Sequence, residues 1–144
     1  MRKFFFVLFL NGLVVASCQS PNSNTPTLSE ADLAKKKDLV KSVMAIHDEA
    51  MPWLDEIHQL KKTISAQKDS LTPDSLAEII DNHCQALDSA DEAMMNWMRN
   101  YREPSNELPF DSTENYLNQQ HIKATNMRDF MREAMNNSHQ FIAQ

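Results

Sequence analysis

From residue 29 onward, apolar residues recur at spacings of three, four and seven, the period of helices that bury one face. Leu33, Val40, Val43, Met44, Met51, Leu54, Ile57 and Ile64 trace a first stripe, with Ser29 placed as N-cap and Glu30 and Asp32 in the first turn. This predicts a long amphipathic helix over 29–68. Pro52 falls inside it and predicts a kink, because it lacks an N–H and crowds the carbonyl of Asp48. Thr72 and Pro73 then restart the chain as N-cap and first helical residue. Leu76, Ile80, His83, Leu87, Ala90, Met94, Trp97 and Tyr101 advance by alternating fours and threes, which is the seam of a packed helix over 73–101. Pro104 and Pro109 stop it. A third segment from about 111 carries Leu117, Ala124, Met127, Met131 and Ala134 on one face. The expected fold is all-α: an antiparallel helical hairpin extended to a three-helix bundle spanning 29–144. If Ile64 meets Leu76 at the tip of the hairpin, His58 faces His83 and His47 faces Met94.

Before residue 29 the pattern changes. Arg2 and Lys3 precede an apolar run from Phe4 to Val15, interrupted only by Asn11 and Gly12, and Val15-Ala16-Ser17-Cys18 follows. The run falls short of the roughly 18 to 20 apolar residues that span a bilayer, so residues 1–17 have the anatomy of a cleaved signal peptide. The tetrapeptide resembles the lipobox of bacterial lipoproteins. That resemblance implies a lipid on the Cys18 thiol and, with Gln19 rather than Asp after it, an outer-membrane anchor facing the periplasm. Two or three acyl chains hold a protein on a membrane, since each buried methylene contributes about 0.8 kcal/mol. Residues 18–28, polar with two prolines, form the lipidated cysteine and a flexible linker.

Composition narrows the function. Of 144 residues, the single glycine is Gly12, in the leader. Phosphate loops, dinucleotide fingerprints and tight β-hairpins depend on glycine, so nucleotide-binding α/β and hairpin-rich β folds are disfavoured. The 14 basic residues less Arg2 and Lys3 leave 12 against 20 acidic ones, a net charge of −8 after cleavage, which disfavours nucleic acid as a partner. Cys84 is the only cysteine beyond Cys18, leaving no internal disulfide and no paired-cysteine zinc motif.

Three constellations carry candidate chemistry. His47 and Met51, with His58, His83 and Met94, supply the imidazole and thioether ligands that suit copper(I). The same residues also read as ordinary helix-packing side chains, since methionine fills irregular gaps between helices. Trp53, Trp97 and Tyr101 could line a ligand pocket but fall on or beside the seams, as core aromatics do. Lys35, Lys36 and Lys37, like Lys61 and Lys62, read as the solvated face of the first helix. Asp55 and His58 form the only acid-x-x-His pair, where a di-iron bundle needs two. No serine has a patterned base or glycine elbow, and the chain is read as noncatalytic.

His47-Asp48-Glu49-Ala50-Met51-Pro52, together with Ala93, Met94, Met95, Trp97, Met98 and Tyr101, resembles a family of short helical lipoproteins from Gram-negative bacteria whose members often carry the name viral A-type inclusion protein. The resemblance implies a helical lipoprotein and assigns no catalytic residue. The resulting expectation is a noncatalytic envelope lipoprotein acting as an interaction or structural module, as a homo-oligomer or with an envelope partner. The alternative is a periplasmic copper-binding protein.

Overall fold

The computed structural model describes residues 28–69 and 72–143; the leader, Cys18 and the linker through Thr27 lie outside the described residues. Four helices follow in order: α1 (Glu30–Ala50), α2 (Trp53–Ser65), α3 (Asp74–Asn100) and α4 (Phe110–Ile142). α1 and α2 form one arm interrupted at Met51 and Pro52, where the missing proline N–H interrupts the hydrogen-bond ladder. The break is short: the Met51 N–H still donates to the His47 carbonyl at 2.8 Å, and Leu54 N–H donates to the Met51 carbonyl at 3.3 Å. Ser29 caps α1 as its position predicts, its Oγ accepting from the Asp32 N–H at 3.1 Å.

Ion pairs fix the directions of the three arms. Lys61 and Lys68 on the first arm reach Asp88 and Asp81 on α3, so residue numbers rise along one as they fall along the other. Glu49 meets Arg132 and Glu56 meets His139 on α4, and here the numbers rise together. The bundle is therefore up-down-up, with α4 seated along both other arms. Its core is the set of seam positions: Val43, Ile57 and Ile64 from the first arm, Ile80, Leu87 and Met94 from α3, and Leu117 and Met131 from α4 are all buried. Among the described residues no helix is long and apolar enough to cross a membrane.

Two local expectations are corrected. Thr72 does not cap α3; its hydroxyl turns back into the connection, accepting from the Asp69 N–H at 2.8 Å, and Pro73 stands at the N-cap without a side-chain bond. Leu76 is exposed, and the buried seam begins one turn later at Ile80, because α2 already ends at Ser65. The hairpin consequently pairs further along α3. His47 meets Met98 rather than Met94, and His58 lies against Asp91 rather than His83.

The 101–109 connection lies at the end of the bundle where α1 begins, held there by a charged residue in the core. Lys36 is only 6 % exposed, which corrects its assignment to a solvated face. Its position explains this: Lys36, Val40 and Val43 are spaced by four and three, the same phase as the core. The ammonium donates to the Pro104 carbonyl at 2.5 Å and Asn106 Oδ1 at 2.6 Å, with Glu103 at 3.4 Å. The Arg102 N–H donates to Tyr116 Oη at 3.0 Å and ties the same connection to α4.

Candidate functional site

The five sequence-derived ligand candidates stand at separate stations. His47 is half-buried, its Nε2 3.3 Å from Met98 Sδ and its Nδ1 2.9 Å from Asp48. Met51 is exposed in the kink, and Met94 is fully buried in the core. His58 is exposed beside Asp91 at 3.6 Å, and His83 stacks on Phe141 with ring centroids 4.6 Å apart. Since Asp91 is eight residues beyond His83, a helix rise of about 1.5 Å per residue separates the two histidines by about 12 Å along the bundle axis. Among the described residues no three His, Cys, Asp or Glu side chains converge where a metal ion could sit. What the structure does assemble is one imidazole–thioether pair, and the thioether is Met98, which the expected register left out.

A second constellation surrounds Trp97. Its ring is stacked on Tyr101 at 5.1 Å and tilted against His47 at 5.7 Å, and Tyr101 lies 6.5 Å from Tyr116. Burial, together with Glu103 and Tyr116, pushes the Tyr101 phenol above its ordinary value. Trp97 and Tyr101 thus pack as core aromatics, while Trp97 also lines an open groove of about 580 Å³ between α3 and α4. Asn96, Trp97 and Asn100 form one wall and Tyr116, Gln120 and Lys123 the other. Ala93, Trp97 and Asn100 on α3 and Tyr116, Gln120 and Lys123 on α4 each form an i, i+4, i+7 face, which is why so few residues make a continuous wall.

The chemistry of this groove is unusual in what it leaves unmade. Gln120 is 7 % exposed and its amide makes no hydrogen bond among the described residues. Trp97 is 8 % exposed, and its Nε1 also has no partner, as is true of Tyr101 Oη and Thr113 Oγ1 toward the same end of the bundle. A buried donor or acceptor without a partner costs about 1 to 3 kcal/mol, which applies to Trp97 Nε1, Tyr101 Oη and Thr113 Oγ1 but not to the Gln120 amide, which is not sealed from the groove. Asn100 donates both to the Asn96 carbonyl at 2.7 Å and to Asn96 Oδ1 at 2.9 Å, leaving Asn100 Oδ1 and the Asn96 amide nitrogen available. Beyond Tyr116 and Asn100 the groove continues into a depression of about 420 Å³ beneath the 102–108 connection.

The opposite end of the bundle exposes an apolar pair. Leu76 and Ile79 at the start of α3 are exposed, Ile79 by 45 %, and they adjoin His83 and Phe141 around a shallow depression of about 470 Å³. Trp53, by contrast, is covered by the Arg132 guanidinium 5.3 Å above its ring. Cys84 sits behind Lys61, and burial pushes its thiol above its ordinary value.

No family model, no curated protein and no solved structure matches the chain.

Proposed function

We propose that the chain is a noncatalytic, lipid-anchored interaction module of the bacterial cell envelope, held at the outer membrane through Cys18, as the lipobox resemblance and the likeness to short helical lipoproteins imply. The observation that carries this proposal is the adjoining exposed pair Leu76 and Ile79 at the end of the bundle away from the linker. The linker enters at the start of α1, beside the connection clamped by Lys36, where Leu33 and Leu108 are exposed, while Leu76 and Ile79 lie exposed side by side around one depression at the other end. The 33 residues of α4 give a rod of about 50 Å at a rise of about 1.5 Å per residue, so an anchored bundle carries an apolar tip outward from the bilayer. Exposed apolar clusters on small domains mark protein contacts.

The test is a photo-cross-linking residue placed at Ile79, and in a second strain at exposed Asn118 near the anchored end, in intact cells. Discrete adducts from position 79 and none from 118 are expected. Equal labelling at both positions, or none at 79, refutes a docking tip.

The His47–Met98 pair favours a second reading, copper(I) binding. Bond lengths of about 2.0 Å to nitrogen and 2.3 Å to sulfur put two ligands of a tetrahedral ion about 3.5 Å apart, close to the observed 3.3 Å. Met44 and Met95, three residues before His47 and Met98 on the same helices, are partly buried against the core.

A further inference from the structure

We propose that the α3–α4 groove is a binding site for an uncharged, polyhydroxylated ligand, a short oligosaccharide. The inference is independent of the apolar tip, which lies at the other end of the molecule.

The groove supplies hydrogen-bonding capacity that the protein itself does not use. Gln120, a residue more than nine-tenths buried, offers a carbonyl acceptor and two N–H donors with no partner among the described residues, while the unpaired Trp97 indole N–H is sealed within the wall and serves as a reporter of it. Asn96 and Asn100 add one free donor group and one free acceptor at the rim. Primary amides present donor and acceptor side by side, the arrangement that two adjacent sugar hydroxyls complement. An apolar ligand would leave these groups unsatisfied.

Charge narrows the class further. The groove holds no carboxylate and one cation, the exposed Lys123, and the adjoining depression adds one charge of each sign, Arg102 and Glu103. An anionic or cationic ligand held specifically calls for paired or clustered opposite charges, which these walls lack. A peptide bound in extended form pairs its backbone with a sheet edge, whereas both walls here are helices whose own backbone groups are engaged within each helix. Discrimination therefore falls to side-chain amides and to the half-buried Tyr116 ring, against which a pyranose can lay its C–H face.

Extent sets the length. The groove of about 580 Å³ is within the range of small-molecule sites, and Tyr116 and Asn100 also line the depression of about 420 Å³ beneath the 102–108 connection. One ligand spanning both is elongated, longer than a single ring. The connection over the second depression is fixed by Lys36 and by the Arg102–Tyr116 bond, so its outer wall is preformed.

The experiment uses the full chain in detergent micelles and nuclear magnetic resonance of side-chain N–H groups. The chain has two tryptophans, so Trp53→Phe assigns the indole signal of Trp97. Tri-N-acetylchitotriose and maltotriose are titrated to about 10 mM, tenfold above a millimolar Kd. The expected result is a saturating shift of the Trp97 indole and Gln120 amide signals with at least one trisaccharide, while Trp53 stays unmoved. Gln120→Leu should weaken that binding at least tenfold while melting no lower than the parent, and Asn100→Ala, at an exposed site, should weaken it several-fold. The proposal is overturned if neither trisaccharide moves Trp97, if Gln120→Leu binds as the parent does, or if tri-alanine shifts Trp97 where the sugars do not. None of these outcomes depends on cross-linking at Ile79.

Discussion

Replacing Lys36 by Met tests whether a buried charge fastens the 101–109 connection. Methionine keeps most of the apolar stem, so the change isolates the ammonium and its bonds. The Asn106 side chain and Glu103 are exposed and regain water, and an ion pair with a partner 58 % exposed contributes only about 0 to 1 kcal/mol. The Pro104 carbonyl is different, because Pro104 is buried and its partner is lost. An acceptor left unpaired in the interior costs about 1 to 3 kcal/mol, and relief of the ammonium's own desolvation offsets part of it. The net expectation is a loss of about 2 kcal/mol in urea unfolding with an unchanged m value, against a total of about 5 to 15 kcal/mol for a domain. Amide exchange over 102–108 should accelerate, and Lys37→Met, at an exposed position, should stay within about 0.5 kcal/mol of the parent. A loss below about 0.5 kcal/mol for Lys36→Met, with exchange unchanged over the connection, refutes the clamp.

Leu87→Ala should cost about 2 to 5 kcal/mol by urea unfolding, since Leu87 is fully buried; a cost under about 0.5 kcal/mol would contradict the seam. Stability should fall as pH rises past about 9, because Cys84, Tyr101 and Lys61 all hold their protons more tightly folded than unfolded: burial raises the first two, and the Asp88 hydrogen bond raises the third. The contribution is complete below the unfolded values and is lost through the folded ones. Urea midpoints between pH 8 and 11 check it, and a flat profile contradicts it. Copper(I) at a hundredfold excess over its Kd would add about 2.7 kcal/mol and raise Tm by several degrees if His47 and Met98 hold it, a rise lost in Met98→Leu; the module proposal expects no rise. Cys18→Ser should abolish palmitate labelling, and retained labelling would remove the lipid anchor from the proposal.

The helices were legible because their signals are local. Ser29, Pro52, Pro104 and Pro109 act through backbone chemistry within a turn of themselves, and each interrupts or bounds an element where its position implies. The hairpin register was not legible, since it depends on where α2 stops and how the connection to α3 runs. The Ile64–Leu76 pairing assumed the seam at its full length. In the structure Leu76 is exposed, and His58 and His83 part company as a result. An error of a turn in a loop becomes an error in every proposed cross-helix pair, which is why a ligand set spread over two helices was the least legible feature of the chain.

The groove was missed for a different reason: its key residue occupies an apolar phase. Leu117, Gln120, Ala124, Met127 and Met131 are spaced by three, four, three and four, so Gln120 falls in the buried stripe of α4, as Lys36 does in that of α1. A stripe read from its apolar members alone passes over both. The pattern shows that each is buried and does not show whether its partners are at hand; that depends on chain segments far away in sequence. Lys36 finds Pro104 and Asn106, whereas Gln120 finds nothing among the described residues. The same sequence signature therefore predicts opposite responses to an apolar side chain of similar size. Lys36→Met removes bonds that exist, whereas Gln120→Leu removes no hydrogen bond within the described residues and adds apolar surface beside Leu117 and Ala124. Gln120→Leu should leave the ligand-free protein more stable by up to about 1 kcal/mol in urea unfolding. A destabilisation of that size would mean that the Gln120 amide is satisfied within the folded chain, and the argument that its hydrogen-bonding capacity is held for a ligand would fail with it.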